Sequence, residues 1–494
     1  LRTARPDEYV DFVATLHNFP TGPIRYILDV VFGHNDNQAV PLLNRHFFAG
    51  ANMYGQNNNF RHPVVRAILL EMQRRKVDLS GADGVRVDGA QDFKWWDAKA
   101  EVLRHDNEYL LSMSDIVQEV AGTRYRPWFI YEDGRPWPQE DWELSSTYRA
   151  VIDFHPDKDV FQWGPLTFAH NTPFLYTFWV QKWWRIREIL YQGSNWISGC
   201  ANHDTLRRGT QVDPEQRINT RLGDTLLEII DKAYDNPATS LVTYGMFPGV
   251  PMEFLNALMR ASWGFIRNTD DKYGIKVVSE EGISLHWQVD YEHWMRPGNF
   301  RRLKAMGFED LEGLKRFMKM LNTAVIVTDY DLDAIVALMR AVDPPLDGPE
   351  LSVKVLKHIA RAWMEDMHDY CNVSYYKEDL NPDQVGFNRK LREFRQARPW
   401  LRDNLTEGDT FNYRHPTQGT VLFYGHRTGP DGEQVLFAAN MEGAPVEIVP
   451  VELPIEGLDK EGWQPALTAP GLEMGLANEP VTLHDGQGFL LIKQ

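Results

Sequence analysis

The chain has 494 residues, of which 43% are hydrophobic and 24% charged, a composition typical of a folded protein with about three domains and not of a disordered one. Its 52 basic and 69 acidic residues give a net charge of −17, which argues against a nucleic-acid partner because that binding needs cations to neutralise phosphates. No apolar run reaches the roughly 18 residues of a membrane-spanning helix. The only cysteines are Cys200 and Cys371, too few for a disulfide scaffold, so a reducing, cytoplasmic location is expected.

The first half of the chain alternates between helix-like and strand-like segments. Residues 7–16 and 63–77 have the apolar periodicity of helices, and the second segment begins at a proline. Strands buried on both faces are short apolar runs. Six such runs occur here, at 24–32, 84–87, 128–131, 150–154, 196–200 and 240–244. The alternation predicts a parallel sheet, and we expect an α/β fold of the (β/α)8, or TIM-barrel, type.

The second half has a different pattern. Residues 300–342, 351–370 and 384–396 have helical periodicity, whereas short alternating strands separated by Gly/Pro turns begin near residue 410. These strands predict an antiparallel β-sandwich domain. We therefore divide the chain into a catalytic barrel core at 1–256 with a short insertion at about 35–83, a helical extension with the last barrel helix at 257–408, and a C-terminal β-sandwich at 409–494.

Three carboxylates directly follow strand-like runs: Asp88, Glu132 and Asp204. Retaining hydrolysis of a glycosidic bond needs one carboxylate that attacks the anomeric carbon and a second, about 5 to 5.5 Å away, that protonates the leaving oxygen. Neighbouring strands lie about 4.8 Å apart, so two strand ends can hold such a pair rigidly. A third carboxylate can stabilise the positive charge that develops on the sugar ring.

Arg86 precedes Asp88 by two residues, so both side chains point to the same side of a strand. A cation at that position keeps a carboxylate ionised and oriented. An aspartate that follows a strand is also a common helix N-cap, so each residue alone has a purely structural explanation. The ordered set of segments is more specific than any single residue.

Four segments in this order resemble the four ordered sequence regions of the α-amylase family, glycoside hydrolase family 13. They are DVVFGH (29–34), GVRVD (84–88), the apolar strand before Glu132, and ANHD (201–204). Residues 240–254 resemble the eighth strand of that family with its loop, and the terminal β region resembles its C-terminal domain. The resemblance covers most of the chain and is weakest over 256–383.

This resemblance implies a glycosidase with Asp88 as nucleophile, Glu132 as general acid/base and Asp204 as transition-state stabiliser. It also implies a set of residues that bind the glucosyl unit or support that binding: Asp29, His34, Arg86 and His203.

The sequence departs from many amylases at two places. Gly33 stands where they have a calcium-binding Asn, and Gln91-Asp92 replaces a Lys-His pair that follows the nucleophile in polymer-cutting members. We therefore expect no metal and no cofactor, although hard oxygen ligands for a cation are present in Asp36, Asn37 and Asn52.

Aromatic residues lie close to two of the carboxylates. Behind Glu132, the loop with Arg135 and Trp137 either binds a small polar aglycone or is a rigid surface loop, and both explanations stay open. Trp95 and Trp96 follow the nucleophile in a segment that we expect to be helical, and we prefer core packing over sugar stacking for them.

Only 28 residues precede Asp29, whereas a βαβ unit takes about 30 residues. If the DVVFGH strand is the third strand of a barrel, two strands and one helix are absent upstream. We therefore expect that the printed sequence begins inside a longer protein whose preceding part closes the barrel.

The combined expectation is a retaining α-glucosidase-type hydrolase that acts on a small α-glucoside. The FGHN, GAQDF and EDGRPWP variants are most similar to glucosylglycerol hydrolases, which release glucose and glycerol. A transglycosylase or phosphorylase of the same family, for example one acting on sucrose or glucosylglycerate, would share all three carboxylates and stays open. A non-catalytic barrel protein is disfavoured, because such a protein would be expected to lack one or more of the three carboxylates and all three are present. We expect no membrane partner, and the oligomeric state is left open.

Overall fold

The structure, a computed structural model, describes the larger part of the chain. The described residues are 5–36, 44–52, 55–90, 93–132, 160–163, 190–191, 193–199, 224, 245–253, 255–259, 261–262, 274–275, 278–279, 282, 289–342, 350–417 and 419–494. The chain divides into two compact units. Residues 1–166, 192–198 and 248–250 form the first unit, and residues 167–191, 199–247 and 251–494 form the second.

The described residues up to 252 contain three helices and thirteen strands. The helices are α1 Pro6–His17, α2 Pro63–Ser80 and α3 Asn107–Ser114. The strands are β1 Ile27–Val30, β2 His34–Asp36, β3 Phe48–Asn52, β4 Gly55–Asn58, β5 Gly84–Val87, β6 Lys94–Asp97, β7 Val102–His105, β8 Gln118–Val120, β9 Thr123–Tyr125, β10 Trp128–Glu132, β11 Val160–Trp163, β12 Trp196–Gly199 and β13 Val250–Met252.

A six-stranded sheet with the order β1-β5-β10-β11-β12-β13 is the framework of this region. The four pairs from β1 to β12 are parallel, as the alternation of helices and strands predicts. Over the described residues the sheet has β1 at one edge and β13 at the other, so a closed barrel is not seen in that part of the chain.

Helix α2 covers the sheet with an apolar stripe. Val65, Leu69 and Val77 are buried at helical spacing, and they join a core with strand residues such as Val85 and Phe129. The helix ends at Gly81, whose left-handed backbone (φ 71°) lets its N–H donate to the carbonyl of Val77. The predicted helix 63–77 is therefore confirmed and is three residues longer.

The predicted strands at 84–87, 128–131 and 196–200 are confirmed within one residue at their ends. The predicted strand 24–32 is shorter, because the N–H of Ile24 still donates to the carbonyl of Leu16 at the end of α1. The predicted strands 150–154 and 240–244 lie outside the described residues. Strand β11 was not predicted.

The described residues from 255 onward begin with helices. These are α4 Leu255–Met259, α5 Tyr291–Met295, α6 Arg301–Ala305, α7 Leu311–Val327, α8 Leu332–Arg340, α9 Val353–Tyr370 and α10 Pro382–Gln396. The predicted helical segment 300–342 forms three helices and not one, which are separated by residues 306–310 and 328–331. Asp310 and Asp331 each cap a new helix by accepting a backbone N–H, and Asp329 and Tyr330 have left-handed backbones that end α7.

The C-terminal region is an antiparallel β domain. Its strands are β14 Thr410–Thr417, β15 Thr420–Thr428, β16 Gln434–Glu442, β17 Val446–Ile448, β18 Gln464–Thr468, β19 Val481–Leu483 and β20 Gly488–Lys493. They form a five-stranded sheet, β14-β15-β16-β20-β18, and a two-stranded sheet, β17-β19. One apolar cluster contains Leu436 and Leu491 of the larger sheet together with Ile448 and Leu483 of the smaller one. The two sheets therefore share a core, as in a sandwich.

Candidate active site

The carboxyl ends of three adjacent strands bring four predicted site residues together. Strand β5 lies between β1 and β10, and its register places Arg86 opposite Asp29 on one side and Ile130 on the other. Because side chains two residues apart in a strand share a face, Asp88 lies on the side of Arg86, and Glu132 on the side of Ile130. The N–H of Asp88 continues the ladder past β5 by donating to the carbonyl of Val30 at 3.0 Å.

The Arg86 guanidinium contacts all three carboxylates of this cluster. Its Nη1 donates to Oδ2 of Asp29 at 2.6 Å and to Oδ1 of Asp88 at 2.8 Å, and its Nη2 lies 2.9 Å from Oε2 of Glu132. Asp88 and Glu132 are therefore both in contact with one guanidinium group. We refer to Asp29, Arg86, Asp88 and Glu132 as the Arg86 cluster.

Two side chains of the Arg86 cluster are buried and two are accessible to solvent. The side chains of Arg86 and Glu132 are each 7% exposed, whereas those of Asp88 and Asp29 are 34% and 52% exposed. Burial lowers the pKa of Arg86, but the charges of Glu132, Asp29 and Asp88 outweigh burial and the pKa is raised. The guanidinium is thus a permanent cation beneath two carboxylates that a ligand can reach.

Glu132 is held by a second donor that the sequence did not indicate. The backbone N–H of Gly89 donates to Oε2 of Glu132 at 2.6 Å. Gly89 has a left-handed backbone (φ 56°), a conformation that glycine adopts without the cost that other residues incur. A glycine directly after a strand-ending carboxylate is the signal that could have identified this turn.

Replacement of Gly89 by alanine tests that contact. We expect a stability loss of about 1 to 2 kcal/mol from the left-handed backbone and, in addition, a lower kcat, because the displaced N–H no longer fixes Glu132. Steady-state kinetics and thermal unfolding measure the two effects separately. Gly122→Ala is the matched control, since Gly122 is also left-handed (φ 79°) and an added Cβ there meets no atom within 4 Å. Equal kcat values in the two variants would contradict a role for the Gly89 amide.

His34 begins β2, which follows β1 after three residues, and its side chain is partly buried. The turn that leads to it is fixed by Asn58, whose side chain donates to the carbonyl of Phe32 at 2.7 Å and whose N–H donates to that of Gly33 at 3.1 Å. Sequence reasoning missed Asn58, because a buried asparagine in a strand has no local signature. A Cβ added at Gly33 would meet no atom within 4 Å, so packing does not require a glycine there.

Several predicted site residues cannot be placed. Asp204, His203, Arg135 and Trp137 lie outside the described residues, as do Gln91, Asp92 and Asn37. Within the part of the chain that the structure describes, no group of three or more His, Cys, Asp or Glu side chains could hold a metal ion. A membrane-spanning helix is likewise not found in that part.

Trp95 and Trp96 were predicted to be core residues on a helix, and the prediction is wrong on both points. They lie on strand β6, which pairs with β7 in a hairpin, and not on a helix. Trp96 is 60% exposed and Trp95 is only partly buried, so neither is a core residue. Two tryptophans in 94–97 and Val102 in 102–105 favour strands, and the two strands flank a turn closed by Asp97, which accepts from the N–H groups of Lys99 and Ala100.

Comparison with known proteins identifies the fold and the family. Two similar solved structures are a Salmonella typhimurium protein assigned as an α-amylase and the pullulanase SAP of Group B Streptococcus. The first is 14% identical with a TM-score of 0.51, over 99% of this chain and 70% of the other. The second is 11% identical with a TM-score of 0.50, over 99% of this chain and 57% of the other. No curated protein matches the chain.

The fold is thus similar to that of α-amylase-type proteins, in which a TIM barrel is followed by a C-terminal β domain, and the protein is a glycoside hydrolase. It belongs to the family described as hypothetical glycoside hydrolase 5 (GHL5), whose model matches residues 1–491.

Proposed function

We propose that this glycoside hydrolase cleaves a small α-glucoside with retention of the anomeric configuration. The observation that supports the proposal is the Arg86 cluster, in which an accessible Asp88 and a buried Glu132 contact the same guanidinium at the ends of adjacent strands. Retaining glycosidases need two carboxyl groups at close range, one as nucleophile and one as acid/base.

In the proposed first step, Oδ of Asp88 attacks the anomeric carbon as the bond to the leaving oxygen breaks. Glu132 gives its proton to that oxygen, and a β-glucosyl ester forms on Asp88. In the second step Glu132 takes a proton from water, the water oxygen attacks the anomeric carbon, and the ester bond to Asp88 breaks to release glucose. Asp204, from outside the described residues, is proposed to stabilise the oxocarbenium-like transition state.

The remaining predicted residues bind the substrate in this proposal. Asp29, His34, Arg86 and His203 contact the glucosyl unit, and Arg135 and Trp137 contact the aglycone. Glucosylglycerol is the first candidate substrate, because the segments FGHN, GAQDF and EDGRPWP, which contain Gly33, Gln91 and Asp133, are most similar to those of glucosylglycerol hydrolases. The scarcity of cysteines supports a cytoplasmic location.

A substrate panel tests the reaction type. We expect glucose release from at least one of glucosylglycerol, glucosylglycerate, sucrose, trehalose and maltose, at a rate that does not depend on added phosphate. Proton NMR during the first turnovers should show α-glucose before mutarotation, because two displacements at the anomeric carbon restore the original configuration. Phosphate-dependent formation of glucosyl phosphate would identify a phosphorylase instead, and transfer to a second sugar without glucose release would identify a transglycosylase. The initial appearance of β-glucose would exclude the retaining mechanism.

A further inference from the structure

Asn58, the last residue of strand β4, forms hydrogen bonds on both sides of His34. Its side chain donates to the carbonyl of Phe32 at 2.7 Å, and its backbone N–H donates to the carbonyl of Gly33 at 3.1 Å. Beyond His34, the side-chain amide of Asn35 donates to Oδ1 of Asn58. The residues before and after His34 are therefore bonded to a single asparagine, which is only 4% exposed.

The backbone of His34 is held by the same strand. In the pairing of β2 with β4, His34 is opposite Asn57, the residue before Asn58. A side chain leaves a strand in a direction that the backbone sets. Because strand pairing and Asn58 together hold this turn, they restrict the direction of the partly buried His34 side chain.

The position of Asn58 is fixed in turn by an aromatic contact. Phe60, two residues after Asn58, is 6% exposed, and its ring stacks on the ring of Phe93 with the two centroids 4.5 Å apart. Phe93 is fully buried and follows Asp88 by five residues. The segment that holds His34 and the segment behind the proposed nucleophile therefore share one packed anchor.

Asn58 is too buried to contact a substrate itself. Its side-chain oxygen, its side-chain nitrogen and its backbone N–H each have a partner within the protein. An effect on the reaction must therefore act through a neighbouring group, and His34 is the neighbour that is proposed to bind the glucosyl unit. A displacement of about 1 Å in the groups that hold a substrate can lower the rate about 100-fold.

We propose that Asn58 is a positioning residue that orients His34 toward the glucosyl unit. The inference rests on the proposed function and deepens it, because it makes sugar binding by His34 depend on a residue that does not touch the sugar. Without the Asn58 amide, the turn at residues 32–35 loses the bonds that hold it, and the imidazole is no longer kept where the sugar binds.

A double-mutant cycle of Asn58→Ala and His34→Ala tests this dependence on the substrates of the panel. We expect each single variant to raise KM about tenfold with little change in kcat, as for a contact that is equally strong before and during bond cleavage. In the double variant KM should stay within about twofold of that of His34→Ala, because the residue to be positioned is gone. Effects that multiply would overturn the inference, since Asn58 would then act independently of His34.

Asn440→Ala is the matched control. Asn440 is a fully buried asparagine of the C-terminal β domain, and its side chain likewise donates to backbone carbonyls, at 3.0 and 3.1 Å. This variant should lose stability in thermal unfolding but keep the wild-type KM, and an equal rise in KM would contradict the proposal. If Asn58→Ala does not fold, Asn35→Ala removes only the bond to Oδ1 of Asn58. It should raise KM by less, and again without effect in a His34→Ala background.

Calorimetric titration with D-glucose measures sugar binding without turnover. Weaker binding by Asn58→Ala, with no further weakening when His34→Ala is added, supports the inference even if no panel substrate is hydrolysed, in which case the proposed function alone fails. Equal glucose binding by the wild-type protein and Asn58→Ala overturns the inference. If the wild-type protein neither binds glucose nor hydrolyses a panel substrate, both proposals are overturned.

Discussion

Replacement of Asp88 by asparagine should lower kcat by more than about 10⁴-fold on any substrate that the wild-type protein hydrolyses, as expected when a covalent nucleophile is removed. The amide is nearly isosteric but too weak a nucleophile to attack the anomeric carbon. The fold should persist, because Arg86 keeps its contacts with Asp29 and Glu132. Glucose release under steady-state conditions measures the effect, and circular dichroism checks the fold.

Asp11→Asn is a suitable control for this substitution, since Asp11 is an exposed carboxylate on α1. It should leave kcat unchanged. If Asp88→Asn retained more than about a tenth of the wild-type kcat, Asp88 would not be the nucleophile, because such residual activity is incompatible with loss of the covalent step.

Replacement of Arg86 by leucine should strongly destabilise the folded protein. The side chain is 7% exposed and contacts three carboxylates, which the variant leaves without their shared cation. Removal of one partner from a buried ion pair costs about 3 to 5 kcal/mol. Urea-induced unfolding at pH 7 measures the loss. Arg75→Leu, in which the lost guanidinium is 71% exposed and forms an ion pair with Glu71, should cost less than about 1 kcal/mol.

The loss in Arg86→Leu should depend on pH. Arg86 itself stays charged at every practical pH, because its pKa is raised. In the variant, mutual repulsion of the carboxylates destabilises their ionised forms in the folded state. A carboxyl group whose folded-state pKa is raised loses stability as the pH rises, so the variant should be closest to wild type near pH 4 and furthest from it at pH 7. A deficit that grows as the pH falls would contradict this account of the Arg86 cluster.

The strand ends of the candidate site were predictable because the pattern of residues is local. Val85 and Val87 point into the core, Arg86 and Asp88 point the other way, and the polar residues begin where the strand ends. The contact of Gly89 with Glu132 was not predictable, since it joins backbone and side chain 43 residues apart.

The hairpin with Trp95 and Trp96 was missed for a different reason. An aromatic pair in a long βα connection satisfies helix and strand patterns equally, and only the pairing with residues 102–105 decides between them. Strand β11 was missed because Val160–Trp163 is short and contains a glutamine, so its character comes from its neighbours β10 and β12.

The single guanidinium under three carboxylates has a consequence for the course of the proposed reaction. Before the glucosyl group is transferred, Asp29 and Asp88 are negative, Glu132 carries its proton, and Arg86 is positive. Afterwards Asp88 is a neutral ester and Glu132 has become negative, so the four side chains together carry one net negative charge in both states. The favourable interaction with Arg86 therefore passes from the nucleophile to the group that must next accept a proton, and the net charge around the guanidinium is the same in both half-reactions.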